Sequence, residues 1–532
     1  MPEILRLVLG FPVLALLLYV PGAVTLNSLE RRTAGRHLFS GVEEWLFGAV
    51  LISFLTTGLV GFVLAQLGMF SWWLLLMVVL GISLSIGFAL GHIERRVKNV
   101  LGLLRVPPPY PQRTTERRYA RLTQIALVGI LLLVAALFSR PAEMLRGALD
   151  SGAYINAGVA MSRSGSILLR DQLMRELDRD RGEVRELMLG LTLDRFTVDT
   201  LRMPAFYVYD KPAALVLPQH YSLYPVWIAL MHSLFGIWGA LYATPLLALL
   251  SVFAVYFFAR RAFSQGAALA GLLLLVLCPV TIWFARYPVS EVITGLLFFA
   301  GAYGFLRMVQ LSSARPTGAD AGDASLTDVD TPPERWASLW GVVSAVSLGQ
   351  LSLARPDFIF YLAVVPVFLV YWRLTRRWQR PYTWFAGALG AMMLLYAVHF
   401  AVYSYIYTLD LYHNVILEVR RRWGLLLLAL YGAVALFVVL DRLYDRLRPL
   451  WLRLEGYAQR YRWVWAGAII LTVGAFAFYR YFISPWQPNV RFDDAGNELP
   501  RLITTTWESY IGAPVDEGSR YNLLRLGWYV SP

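Results

Sequence analysis

Lysine is almost missing from this chain, occurring only at Lys98 and Lys211. Cysteine occurs once, as Cys278 within an apolar run, so there is no intrachain disulfide, no cysteine metal cluster and no candidate thiol nucleophile. Charge of any kind is scarce, at 16% of 532 residues against 58% hydrophobic residues. A soluble domain of this length needs far more polar surface to cover its core. The formal net charge of +13 would suggest nucleic acid in a soluble protein. Here the arginines stand between apolar runs and read as loop charge beside a membrane, so membrane lipids are the expected surroundings and no nucleic-acid partner is expected.

What the chain does have is repeated apolar runs near twenty residues, the length that crosses a hydrocarbon core of ~30 Å. We read twelve: about 4–26, 45–66, 71–92, 122–139, 237–258, 267–284, 290–309, 338–354, 357–374, 384–406, 423–440 and 463–479. Lipid leaves backbone groups no partner outside their own segment, which forces helix. The expected fold class is therefore an all-α integral membrane protein with about 12 transmembrane helices, multi-pass in the cell inner (plasma) membrane.

Arginine and lysine set the orientation. The segment 93–121 holds Arg95, Arg96, Lys98, Arg105, Arg113, Arg117, Arg118 and Arg121, and we place it in the cytoplasm. Alternation then puts 27–44, 259–266, 310–337, 373–383 and 441–462 there too. These segments carry 25 Lys/Arg, against five in the four short loops opposite. Both chain ends come out on the extracytoplasmic side. Cleavage of the first helix as a signal peptide would turn Arg31, Arg32, Arg36 and the basic 93–121 segment outward, so we keep it as an uncleaved span.

The organisation that follows has a three-helix extension with its basic cytoplasmic loop over 1–120 and a core over 121–309 containing a long extracytoplasmic loop, 140–236. A polar linker covers 310–337, further membrane helices 338–479, and an extracytoplasmic tail 480–532. The linker is rich in Ser, Ala, Gly, Asp, Thr and Pro without apolar period and reads as disordered. Within the long loop, 222–235 is apolar but too short to span and reads as a helix on the membrane surface. Residues 521–532 resemble the aromatic entry to another membrane helix, so a thirteenth helix is expected beyond Pro532.

Polar residues that could carry chemistry gather at the extracytoplasmic ends of the spans. Asp150, in Leu149-Asp150-Ser151-Gly152-Ala153-Tyr154, opens a stretch of helical character. It reads either as an N-cap or as a carboxylate base within reach of a lipid head group and an aqueous acceptor. Glu291 follows Arg286 in Arg286-Tyr287-Pro288-Val289-Ser290-Glu291, where an acid begins an apolar helix. It reads as a dipole cap or a site residue, with Arg286 as its salt-bridge partner or a phosphate ligand. His220 in Gln219-His220-Tyr221, downstream of Lys211, reads as a metal ligand, a phosphate partner or an interfacial residue. No metal motif with tight His/carboxylate spacing occurs. Asp410-Leu411-Tyr412-His413-Asn414 leads to Arg420-Arg421-Arg422, three arginines on the side where few are expected. Either the topology errs there or they hold an anion, for which guanidinium forks suit phosphate and pyrophosphate. Arg355-Pro356-Asp357 lies in another outer turn.

In this order and sidedness the chain resembles the GT-C superfamily of membrane glycosyltransferases, most closely the branch of protein O-mannosyltransferases and aminoarabinose transferases (glycosyltransferase family 39-like). The matching features are the Asp150 motif after a span, His220-Tyr221-Ser222-Leu223-Tyr224-Pro225 before an apolar helix ending Leu234-Phe235-Gly236, and the basic turn Ala259-Arg260-Arg261-Ala262. Arg286 and Glu291 then open a later span, and Leu353-Ala354-Arg355-Pro356-Asp357 ends another. The resemblance covers about 120–375. Two positions depart from it: Ser151 stands where a second acid is common, and Glu291 where Asp is usual.

The resemblance implies transfer of a sugar from a polyprenyl-phosphate-linked donor to an extracytoplasmic acceptor (lipid, glycan or protein), with inversion. It implies Asp150 as base with Glu291 as second catalytic acid. Tyr154, Lys211, His220, Tyr221, Arg286, Arg355, His413, Arg420, Arg421 and Arg422 form the substrate-contacting set. A divalent metal is an open expectation with no ligands assigned. The alternative readings are a transporter or flippase of a lipid-linked glycan, and a ligase moving a whole glycan from a polyprenyl-pyrophosphate donor. Few mid-helix charges and no internal repeat speak against transport.

Overall fold

A computed structural model of the chain describes residues 3–30, 39, 41–89, 104–106, 114–143, 150–172, 174–176, 201–202, 206–210, 212–313, 332–362, 364–409 and 421–478. The linker segment 314–331 and the tail from 479 on, including the expected helix entry at 521–532, lie outside the described residues. The chain is an α-helical membrane protein. Eight of the described helices are long and apolar enough to cross a membrane, and nine if the bent pair Gln265–Leu277 and Pro279–Arg286 is one span.

The helices run in chain order as α1 (Glu3–Glu30), α2 (Val42–Gln66), α3 (Trp72–Ala89), α4 (Thr114–Phe138) and α5 (Asp150–Ser164). After the loop come α6 (Leu223–Ala262), α7 (Gln265–Leu277), α8 (Pro279–Arg286), α9 (Glu291–Ser313) and α10 (Pro332–Ala354). The expected run 357–374 is split into α11 (Phe358–Leu362) and α12 (Val364–Leu374), the second too short to span alone. Then follow α13 (Arg380–His399), a π-helical turn (Phe400–Ser404), α14 (Trp423–Arg460) and α15 (Arg462–Phe478). By contacts the chain divides into two units, 1–277 with 281–434 and 278–280 with 435–532.

Close packing of α1 on α2 is written into α1. Pro21 cannot donate to the carbonyl four residues back, Leu17, and Thr57 Oγ1 of α2 donates to that carbonyl instead at 2.9 Å. Next to it, a Cβ on Gly22 would overlap the Ala49 carbonyl, and the Gly22 N–H donates to Ser53 Oγ at 2.8 Å. Small and hydroxylated residues do the same between α9 and α10. Ser344 and Ser347 donate to the carbonyls of Gly301 and Leu297 at 2.7 and 2.8 Å.

The three-helix extension is joined to the rest by charge as well. Glu44 at the start of α2 is fully buried and accepts from both Arg261 of α6 (Nε at 2.6 Å, with Nη2 on the other oxygen) and Tyr303 of α9 (2.8 Å). Glu43 accepts from Arg260 at 2.9 Å. Gln350 of α10 donates to the Leu55 carbonyl of α2 at 2.9 Å.

Two expectations for the long loop change. First, it contains a four-stranded antiparallel sheet in the order β1 (Leu169–Arg170), β4 (Leu215–Pro218), β3 (Phe206–Asp210), β2 (Leu201–Arg202). Second, 222–235 is not a surface helix with a wet face. Residues Leu223–Met231 and Leu234 are all buried, and a helix apolar on every side belongs in a core. The segment runs into the following span through a break at Gly236, whose φ of 70° and ψ of −154° only glycine tolerates well.

Candidate functional site

α5 begins at Asp150, and an acid in the first turn suits the positive end of a helix. The carboxylate faces His220 Nε2 at 3.5 Å and leaves the side chain 75% exposed. Among the described residues it makes no hydrogen bond to the N–H groups of its own first turn, so local capping does not account for it. His220 is its opposite in exposure. The ring is 8% exposed, stacks on Tyr154 at 4.6 Å and meets the edge of Tyr407 at 5.2 Å. Neither of its nitrogens has a partner within good hydrogen-bonding geometry. Nδ1 is left without a partner and Nε2 has only the long contact to Asp150; such unfilled capacity is costly in a finished core and expected in a site that completes itself on binding.

One turn along α5, the buried Tyr154 hydroxyl donates to Ser290 Oγ at 2.9 Å. Ser290 precedes Glu291, the first residue of α9. Arg355, just past the end of α10, reaches across to this point. Its Nη1 donates to Glu291 Oε1 at 2.6 Å and its Nε to Asp357 Oδ1 at 2.9 Å. Pro356 breaks the helix here and frees the turn to fold Asp357 back onto the guanidinium.

These side chains line one pocket of about 310 Å³: Asp150, Tyr154, His220, Tyr221, Ser290, Glu291, Ala354, Arg355, Pro356, Asp357 and Tyr407. His220, placed to donate, holds the Asp150 carboxyl below its usual range; partial burial opposes this and the Arg355 charge adds to it. Asp150 is therefore ionised at neutral pH. Burial pushes the Tyr154 phenol well up, so it stays a hydrogen-bond donor. Burial works against the Arg355 charge, but the carboxylates of Asp357 and Glu291 more than offset it and raise its pKa. The lining thus carries three carboxylates and one guanidinium, already engaged by two of them.

Six residues singled out in the sequence meet in this pocket: Asp150, Tyr154, His220, Tyr221, Glu291 and Arg355. Arg286 does not. Its Nε donates to the Leu137 carbonyl at 2.7 Å, with Nη2 on the same oxygen, so it caps the end of α4 rather than pairing with Glu291. Arg421 and Arg422 are exposed at the start of the α14 region and are not among the lining residues. Lys211, His413 and Arg420 lie outside the described residues. Ser290 and Tyr407 belong to the pocket without having been singled out; a serine and a tyrosine at a span end carry no signal above the many others.

For a divalent metal, Asp150 and His220 offer two candidate ligands. Among the described residues no group of three His, Cys, Asp or Glu is close enough to hold an ion. A separate apolar cleft of about 740 Å³ opens at the Gly236 break, lined among others by Phe11, Phe138, Phe235 and Tyr242, and contains none of the candidate site residues.

Compared with family models, with curated proteins and with solved structures, the chain matches none of them.

Proposed function

We propose that this protein is a membrane glycosyltransferase that moves a sugar from a polyprenyl-phosphate-linked donor to an extracytoplasmic acceptor. The arginine bias supports placing the pocket on the extracytoplasmic side of a twelve-span chain. The observation that carries the reading is Asp150: an ionised, largely exposed carboxylate at the start of α5, backed by a buried imidazole and opening onto a polar pocket. A base must be within reach of the proton it takes and in the right protonation state. In this reading Asp150 removes the acceptor hydroxyl proton. The acceptor oxygen bonds to the anomeric carbon, the bond from that carbon to the phosphate oxygen breaks, and polyprenyl phosphate leaves with inversion at the sugar. Arg355 with Glu291 and Asp357 shapes the polar wall, with the buried Tyr154–His220 stack and Tyr407 lining the same pocket. Because the lining is net acidic, the leaving phosphate needs cations from elsewhere, for which we propose Lys211 and Arg420–Arg422. The apolar cleft at Gly236 is of a kind that suits the polyprenyl chain.

The test is purified protein in lipid nanodiscs, given a panel of undecaprenyl-phosphate-linked sugars and a cell-envelope extract as acceptor. The expected result is acceptor-dependent release of undecaprenyl phosphate from one donor, seen by mass spectrometry. No donor consumption, together with movement of a lipid-linked glycan across proteoliposomes, would replace the enzyme by a transporter.

A further inference from the structure

The span α13 ends in a π-helical turn, Phe400–Ser404. Such a turn inserts one residue into an α-helix and rotates everything after it by about 100°. Its hydrogen bonding is specific. His399 Nε2 lies 2.6 Å from Ser404 Oγ, five residues on. In an α-helix residues five apart point in different directions, and the wide turn is what brings them together.

His399 is fully buried in the span, and an ionisable residue there asks for a function. Its other nitrogen, Nδ1, is 2.9 Å from Gln66 Nε2. The amide nitrogen can only donate, which leaves the ring proton on Nε2, facing Ser404. Gln66 is the last residue of α2. Its backbone carbonyl, one of those left over at a helix end, accepts from the Tyr403 hydroxyl at 2.7 Å. The edge contact of Phe62 with the His399 ring, 4.8 Å between centroids, closes the cage from the same helix. So α2 grips the π-turn at both the His399 and the Tyr403 side chains.

What the turn aims is the pocket. Thr408 Oγ1 donates to the Ser404 carbonyl at 2.9 Å and pairs with the Tyr221 hydroxyl at 2.9 Å. Tyr407 sets its ring against His220 and lies 5.9 Å from Tyr221. Without the inserted residue, the last turn of this helix would face about 100° away and neither contact would form.

We propose that Gln66, His399 and Ser404 are positioning residues: a clamp from the three-helix extension locks the π-turn and so holds Tyr407 and Thr408 against His220 and Tyr221. This gives the N-terminal helices a part in the site. It rests on the glycosyltransferase reading only in taking this pocket as the working one.

The test uses the full chain in lipid nanodiscs with 3-fluorotyrosine in place of Tyr407, read by fluorine NMR. A second sample carries the label in place of Tyr303, remote in sequence and bonded to Glu44, to report the integrity of the fold. Gln66→Leu and Ser404→Ala are expected to shift the 407 resonance by more than its linewidth, or split it, with the 303 resonance unmoved. His399→Leu should do the same. His399→Gln, whose amide can both accept from Gln66 and donate to Ser404, should restore the native line. If Gln66→Leu disturbs the 303 resonance, Ser404→Ala, which deletes one hydroxyl, decides alone. An unmoved 407 line in Ser404→Ala overturns the clamp. The readout is the placement of a ring, so a shifted line in a protein that transfers no sugar would leave the clamp standing and remove the enzymatic reading.

Discussion

Among the described residues, two clusters of acids and arginines are built to opposite ends. In one, Glu43 and Glu44 meet Arg260, Arg261 and Tyr303; Glu44 is fully buried and both of its oxygens are occupied. In the other, Asp150, Glu291 and Asp357 meet His220 and Arg355; Asp150 is 75% and Glu291 48% exposed, and the His220 nitrogens have no good hydrogen-bond partner. The first cluster is closed to solvent around Glu44, whose two oxygens both accept, although Glu43 Oε2 beside it has no hydrogen-bond partner. The second leaves valences open beside a cavity. Charge alone does not separate them, whereas the exposure of the carboxylates does.

The largest expected effect breaks the closed cluster. Glu44→Leu strands the Arg261 guanidinium and the Tyr303 hydroxyl in the interior, which should cost on the order of 3–5 kcal/mol. The corresponding Glu291→Leu change removes a half-exposed partner and should cost about 1 kcal/mol or less. Unfolding midpoints of the purified variants in the same detergent measure both. Equal losses at the two positions would erase the distinction between joint and site.

A smaller effect sharpens the open cluster. His220→Phe keeps a ring stacked on Tyr154 and removes the group that holds the Asp150 carboxyl down. A carboxyl with a lowered folded pKa is ionised, and contributes its stability, above its unfolded pKa, and both are lost as pH falls through the lowered value. Without His220 the Asp150 pKa returns upward, so the acidic limb of the transfer rate against pH should move to higher pH. A profile that stays in place, or moves to lower pH, would mean that His220 does not govern Asp150.

Much of this was legible in the chain, for identifiable reasons. Apolar runs near twenty residues mark the spans because lipid permits nothing but helix there. Glu291 and Arg355 stood out as charges at the ends of those runs, Asp150 as an acid opening a helical stretch of the long loop, and His220 as a histidine before its short apolar segment. The sheet in the long loop did not, because its strands are two to five residues long and alternate too briefly to signal. Glu43 and Glu44 carried no signal, since nothing local says that an arginine pair over two hundred residues away will cover them. Arg286 looked like a partner for Glu291, five residues on; the α8 turn instead sends it back to the Leu137 carbonyl. His399 carried no signal in the chain, because its partner Gln66 lies more than three hundred residues earlier.

The measurement that bears most directly on the whole account is sugar transfer by Asp150→Asn. Asparagine starts a helix about as well as aspartate, but its amide cannot take the acceptor proton. Loss of a positioned base typically lowers a rate by ~10²–10⁴. The account predicts an Asp150→Asn protein with the unfolding midpoint of the parent and transfer from an undecaprenyl-phosphate-linked donor reduced by about that factor. Transfer within a few-fold of the parent would contradict it, and would leave Asp150 as the start of a helix and nothing more.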